Sequence, residues 1–118
     1  MLSRIRRPVR LTTLTIMRLI TRLRLRRYVT THPLAKPSLE RWRQVAEAAD
    51  WKTPEDVRKS WKSADFVRMA SGRTVVVFNV GGNNFRLIVA IHYDRHKVFI
   101  LRFYPHHEYS KEHWKHEL

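Results

Sequence analysis

Residues 74–104, TVVVFNVGGNNFRLIVAIHYDRHKVFILRFY, set the architecture. Three β-branched and apolar runs, Thr74 to Val80, Phe85 to Asp94 and Lys97 to Tyr104, are separated by Gly81-Gly82-Asn83-Asn84 and by Asp94-Arg95-His96-Lys97. Both separators favour turns or positive φ, so the runs read as three antiparallel strands in meander order. On the middle strand, Phe85, Leu87, Val89, Ile91 and Tyr93 share one face, and Arg86, Ile88, Ala90, His92 and Asp94 share the other. The first face asks for a covering layer. The second mixes small, polar and charged groups and is expected to stay partly open, a basic concave cradle suited to a nucleic-acid strand.

The covering layer lies upstream. Met17-Arg18-Leu19-Ile20 alternates like a short strand. Thr21 is placed to cap a first helix that runs to Tyr28 or Thr31 and is ended by Pro33. A second helix follows Pro37-Ser38, with Leu39, Trp42, Val45, Ala46 and Ala49 on one face. Thr53-Pro54-Glu55-Asp56 then opens a short third helix, with a capping hydroxyl, proline at the first helical position and acids in the first turn. The reading is an α+β fold, with an N-terminal strand and helices packed on one face of a mainly antiparallel sheet.

The chain has 118 residues, the size of one domain, and a formal charge of +14. No acid precedes Glu40, and residues 1–39 hold nine Arg and Lys36. Such an excess draws polyanions, so nucleic acid or an anionic surface is the default partner. Cysteine is absent, which removes disulfide scaffolds, thiolate metal sites and thiol nucleophiles, and fits a cytoplasmic location. Arginine interrupts every apolar stretch, so no membrane role is expected. Residues 1–16, with four Arg and no acid, resemble a transit peptide in composition, but the preferred reading puts the true start at Met17; either way they are expected to form a disordered extension ahead of a domain at 17–118.

Six of the seven histidines lie from His92 onward, and Pro105-His106-His107-Glu108-Tyr109-Ser110-Lys111 follows the last strand. Cutting RNA through its 2′-hydroxyl needs a base, an acid and a cation beside the phosphate, and His, Glu, Tyr, Lys and Arg supply these. The alternative is a solvated tail. Arg86 and Arg102 have matching parity on adjacent strands and would grip a phosphate if register allows, or else stand as solvated strand residues near His92. His113 and His116 lack the companions of a metal site, and Gly81-Gly82 lacks the ending of a phosphate loop, so neither metal nor cofactor is expected.

The segments Ala49-Asp50-Trp51-Lys52-Thr53-Pro54, Ser63-Ala64-Asp65, Val77-Phe78-Asn79-Val80-Gly81-Gly82-Asn83-Asn84-Phe85-Arg86-Leu87 and His106-His107-Glu108-Tyr109 together resemble the HigB family of bacterial toxins, which is similar in fold to RelE. The resemblance covers Met17 to about Lys111. It implies an mRNA endoribonuclease that enters the ribosomal A site and needs no metal, and an antitoxin of the HigA type with a helix-turn-helix. Where the family usually has Thr before the His and Asp after the Tyr, this chain has Pro105 and Ser110. Carried over, Arg86, His106, Glu108 and Tyr109 are the expected catalytic residues. Arg22, Arg24, Arg26, Arg27, Arg102 and Lys111 are the expected RNA contacts. The competing class is a non-catalytic RNA- or DNA-binding module with the same charge and sheet.

Overall fold

A computed structural model describes residues 16–82, 84–111, 113–116 and 118. All but the last residue of the expected N-terminal extension lies outside them. Five strands form one sheet: β1 (Arg18–Ile20), β2 (Asp65–Arg68), β3 (Thr74–Val80), β4 (Phe85–His92) and β5 (Lys97–Pro105), in the order β1-β5-β4-β3-β2. Strand β1 runs parallel to β5, and every other pair is antiparallel. The helices are α1 (Arg22–Thr31), α2 (Lys36–Ala48), α3 (Pro54–Ser60) and α4 (His106–Ser110). The expected α+β architecture is the one observed.

The meander register follows from its turns. Gly81 and Gly82 both have φ of +65°, which glycine adopts without strain, and Val80 pairs with Phe85 on either side of them. Asn79 therefore faces Arg86. At the other end Tyr93–Arg95 forms a 3-10 turn, so β4 stops at His92, and Tyr93 and Asp94 leave the strand faces assigned to them.

Helices α1 to α3 cover the face that carries Leu87 and Val89. Leu25, Leu39, Trp42, Ala46, Trp51 and Val57 pack there against Val76, Phe78, Val98, Ile100 and Phe103. Phe78 meets the rings of Trp42, Trp51 and Trp61 at centroid distances of 5.4, 6.0 and 6.3 Å. Three indoles around one phenyl ring hold the helices in a fixed position on the sheet. Thr53 and Asp56 close a reciprocal capping box at the start of α3.

Three expectations need correction. Thr21 precedes α1 but makes no side-chain cap: with φ of +64°, it turns its hydroxyl to the Ile100 carbonyl at 3.1 Å. Strand β2 escapes the sequence reading because its four residues offer only Phe66 and Val67 between charged ends, too short a run for the alternation to register. The second sheet face is also less open than expected. Met69, Val75, Val77 and Ile88 form a smaller core beneath Trp114, which is fully buried in the 3-10 turn His113–His116. The C-terminal segment folds back over that face, and a shallow cleft remains beside Arg86, which is itself buried.

One irregularity links sheet and helix. Ile88 pairs with Arg102 but Val89 pairs with Ile100, so Leu101 is an extra residue in β5. Strand β1 ends at Ile20, opposite Phe99, and leaves the carbonyls of Ile100 and Leu101 on the edge. Side chains of α1 accept the task of pairing them: Arg24 Nη1 donates to both, at 2.8 and 3.1 Å, and Tyr28 Oη donates to Leu101 at 3.4 Å.

Candidate RNA-cleaving site

Arg86 is the second residue of β4, on the face opposite the helices, and only 7% of it is exposed. A guanidinium at that depth must be compensated, because burial without partners costs several kcal/mol. Its Nη1 donates to the Phe85 carbonyl at 3.1 Å, and its Cζ lies 5.6 Å from the centroid of the Tyr109 ring. Tyr109 stacks on Trp114 with centroids 5.1 Å apart, and Trp114 Nε1 donates to the Tyr109 carbonyl at 3.1 Å. The aromatic partner of the arginine is thus itself held from behind.

Local sequence explains how Tyr109 arrives there. Pro105 ends β5 and serves as the residue before α4. The His106 N–H donates to the Asn84 carbonyl at 2.9 Å, fastening α4 to the β3–β4 turn. Ser110 Oγ donates to the His106 carbonyl at 3.0 Å and closes the short helix. Arg86 and Tyr109 then line a shallow cleft of about 430 Å³ with Asn79, with Asp65 at the start of β2, and with Lys62 and Ser63 just before it.

The other expected residues take separate places. His106 is exposed on α4, three residues before Tyr109 and so on the neighbouring turn surface, outside the cleft lining. Glu108 Oε1 accepts from Lys111 Nζ at 3.3 Å and stands 3.8 Å from His107 Nε2, so its contacts are with those two rather than with His106. Arg102 lies on the Arg86 face, diagonal to it because Arg86 pairs with Tyr104 and Arg102 with Ile88. Diagonal positions are about 7–8 Å apart, within the span of one nucleic-acid backbone. His92 is at the far end of β4, about 20 Å away by strand rise, and packs on Phe99.

The four arginines of α1 fall into three environments. Arg24 is engaged by the β5 carbonyls. Arg22 and Arg26 line a groove between α1 and α2, with Arg22 Nε 3.7 Å from Glu47. Arg27 is exposed on the flank near Tyr28. Burial pushes the Tyr28 phenol up, and the charges of Arg24, Arg102 and Arg27 oppose that rise, which marks a basic corner where α1 meets β5.

Sequence reasoning did not single out Lys62, Ser63, Asp65 or Asn79 as lining residues. Counting back from the Gly81-Gly82 turn would have placed Asn79 across from Arg86; the other three depend on β2, which the pattern hides. Among the described residues, no helix is long and apolar enough to cross a membrane. A family model described as HigB toxin, RelE-like toxic component of a toxin-antitoxin system, matches residues 35–112, about two thirds of the chain. No curated protein matches the chain.

Proposed function

The chain belongs to the HigB family of RelE-like toxins, and from that premise we propose that it is an endoribonuclease that cuts translated mRNA in the ribosomal A site. The observation that carries the proposal is the buried Arg86 set against Tyr109 at the cleft. A guanidinium held in place by packing and hydrogen bonds needs little reorganisation as negative charge develops on a phosphate, which is where electrostatic catalysis is strongest.

In the proposed reaction, the 2′-oxygen of the substrate attacks the adjacent phosphorus as its proton passes to a base. The bond from phosphorus to the 5′-oxygen breaks, and that oxygen takes a proton from an acid. The products are a 2′,3′-cyclic phosphate and a 5′-hydroxyl. Arg86 binds the non-bridging oxygens, Tyr109 exchanges one proton within the cleft, and His106 exchanges the other from the exposed surface of α4 beside it. Glu108 sets the position of Lys111, whose ammonium, together with that of Lys62 and the guanidinium groups of Arg102 and Arg27, draws the RNA backbone toward the cleft. The family implies an antitoxin partner; a helix-turn-helix protein of the HigA type and a cytoplasmic site of action complete the proposal.

The test is a translation reaction programmed with a defined message and supplied with purified toxin. The expected result is ribosome-dependent breakage that leaves 5′-hydroxyl ends, reduced by His106→Ala and by Tyr109→Phe. RNA binding with intact message would instead identify a non-catalytic binder.

A further inference from the structure

The groove between α1 and α2 has a composition that RNA cleavage does not use. Its floor is aliphatic, made by Leu25, Val29 and Leu39, and Leu23 stands at its side with 56% of its surface exposed. The volume is about 650 Å³. Leu34, 89% exposed, lies in the 3-10 turn Pro33–Ala35 that joins the two helices. Leu23 and Leu34 are the large apolar residues most exposed among those described. Large exposed leucines beside an apolar floor mark an unfilled contact surface.

The rim is cationic. Arg22, Arg26, Lys36 and Arg43 border the groove against one carboxylate, Glu40. Arg43 holds Glu40 and Glu47 together, and its hydrogen bond keeps the Glu40 carboxyl below the usual carboxylate range. Arg22 shares Glu47 with Arg43, its Nε 3.7 Å from that carboxylate, so two guanidinium groups match the two acids, and Arg26 and Lys36 present the remaining charge outward.

We infer that this groove docks an acidic amphipathic segment of the antitoxin, with its apolar side on Leu23, Val29 and Leu39 and its carboxylates on Arg26 and Lys36. Charge complementarity selects the occupant. Residues 1–15 of this chain carry four Arg and no acid, and a second copy carries the same +14, so neither matches a cationic rim. RNA matches the cationic rim but leaves the aliphatic floor of Leu25, Val29 and Leu39 unfilled, because among the described residues no aromatic ring lines the groove to receive a base, whereas apolar side chains of a peptide fill such a floor. A segment of about ten helical residues spans the 15 Å length of α1. The inference rests on family membership and is independent of cleavage, because the groove opens on the helical side of the sheet and Arg86 lies on the other.

The experiment uses the antitoxin encoded with this chain, titrated against the purified toxin, with poly(U) as a second probe. Leu23→Glu, at an exposed position, is expected to weaken antitoxin binding about tenfold or more, as interface anchors do. Arg26→Glu with Lys36→Glu is expected to weaken it further at low salt, and Arg86→Ala to leave it unchanged. Hydrogen exchange of the wild-type complex is expected to protect residues 22–29 and 36–43, a readout that needs no variant to fold. Loss of poly(U) binding with antitoxin affinity within twofold would make the groove an RNA surface and overturn the inference. Absence of protection in residues 22–43 would overturn it equally. A cleavage-dead toxin that still binds antitoxin through Leu23 would refute the nuclease reading alone.

Discussion

Arg86 and Tyr109, 23 residues apart in sequence, meet with the guanidinium carbon 5.6 Å from the ring centroid. One is fixed by the second position of β4; the other reaches it on a five-residue helix whose N–H at His106 is tied to Asn84. The pair is assembled by the C-terminal segment, so the integrity of that segment and the geometry of the cleft are the same physical problem.

Trp114 is the support to test first. Replacing it with alanine removes a fully buried indole from the smaller core and the stack behind Tyr109, and is expected to cost about 3–5 kcal/mol in urea unfolding. Trp114→Phe keeps an aromatic surface but loses the Nε1 bond to the Tyr109 carbonyl, for a smaller loss of about 1 kcal/mol. Equal effects of the two changes would mean that the stack contributes little.

Arg24 and Arg27 differ by one turn position and are expected to behave oppositely. Arg24→Ala strips donors from the edge carbonyls of Ile100 and Leu101 and is expected to destabilise the fold by about 1–3 kcal/mol in chemical denaturation. Arg27→Ala is expected to leave stability within about 0.5 kcal/mol and to flatten the salt dependence of RNA binding by about one unit of log–log slope. A stability loss at Arg27 as large as that at Arg24 would remove the distinction drawn between bulge contact and solvent-facing charge.

That contrast also shows what the sequence made legible. The helices, the three-strand meander and the turn that places Arg86 follow from periodicity, glycine and capping chemistry acting over a few residues. Strand β2 is too short and too charged at its ends to stand out, so Lys62 is missed, and Ser63 and Asp65, although part of the resemblance to the family, are not read as neighbours of Arg86. The bulge at Leu101 arises from the pairing of two strands, so no local pattern reveals it, and Arg24 reads from the sequence as one more RNA contact. The burial of the second sheet face required knowing that Trp114 returns to it, a long-range choice made by packing. Arg86 and Tyr109 were legible as chemistry through the family resemblance, but their contact was not.

The capping box gives a pH prediction. Backbone donors at Lys52 and Thr53, together with the Thr53 hydroxyl, hold the Asp56 carboxyl below the usual aspartate range. A carboxyl lowered in the folded state contributes stability that is fully present above its unfolded pKa and is lost as pH falls through the lower folded value. The stability difference between wild type and Asp56→Asn is therefore expected to be constant from pH 7 to pH 5 and to shrink below about pH 4. Thermal unfolding of both proteins across that range checks it, and a difference that grows on acidification would reverse the assigned sign.

The central claim is that Arg86 stabilises the charge that builds on the scissile phosphate. Single-turnover cleavage of a ribosome-bound message, measured with saturating wild-type or Arg86→Ala toxin of verified fold, tests it most directly. The cleavage rate is expected to fall by about 100-fold or more, the usual effect of removing a preorganised donor from a developing anion. A rate within about twofold of wild type would contradict it, since a uniform binding contact disappears at saturation and a transition-state contact does not.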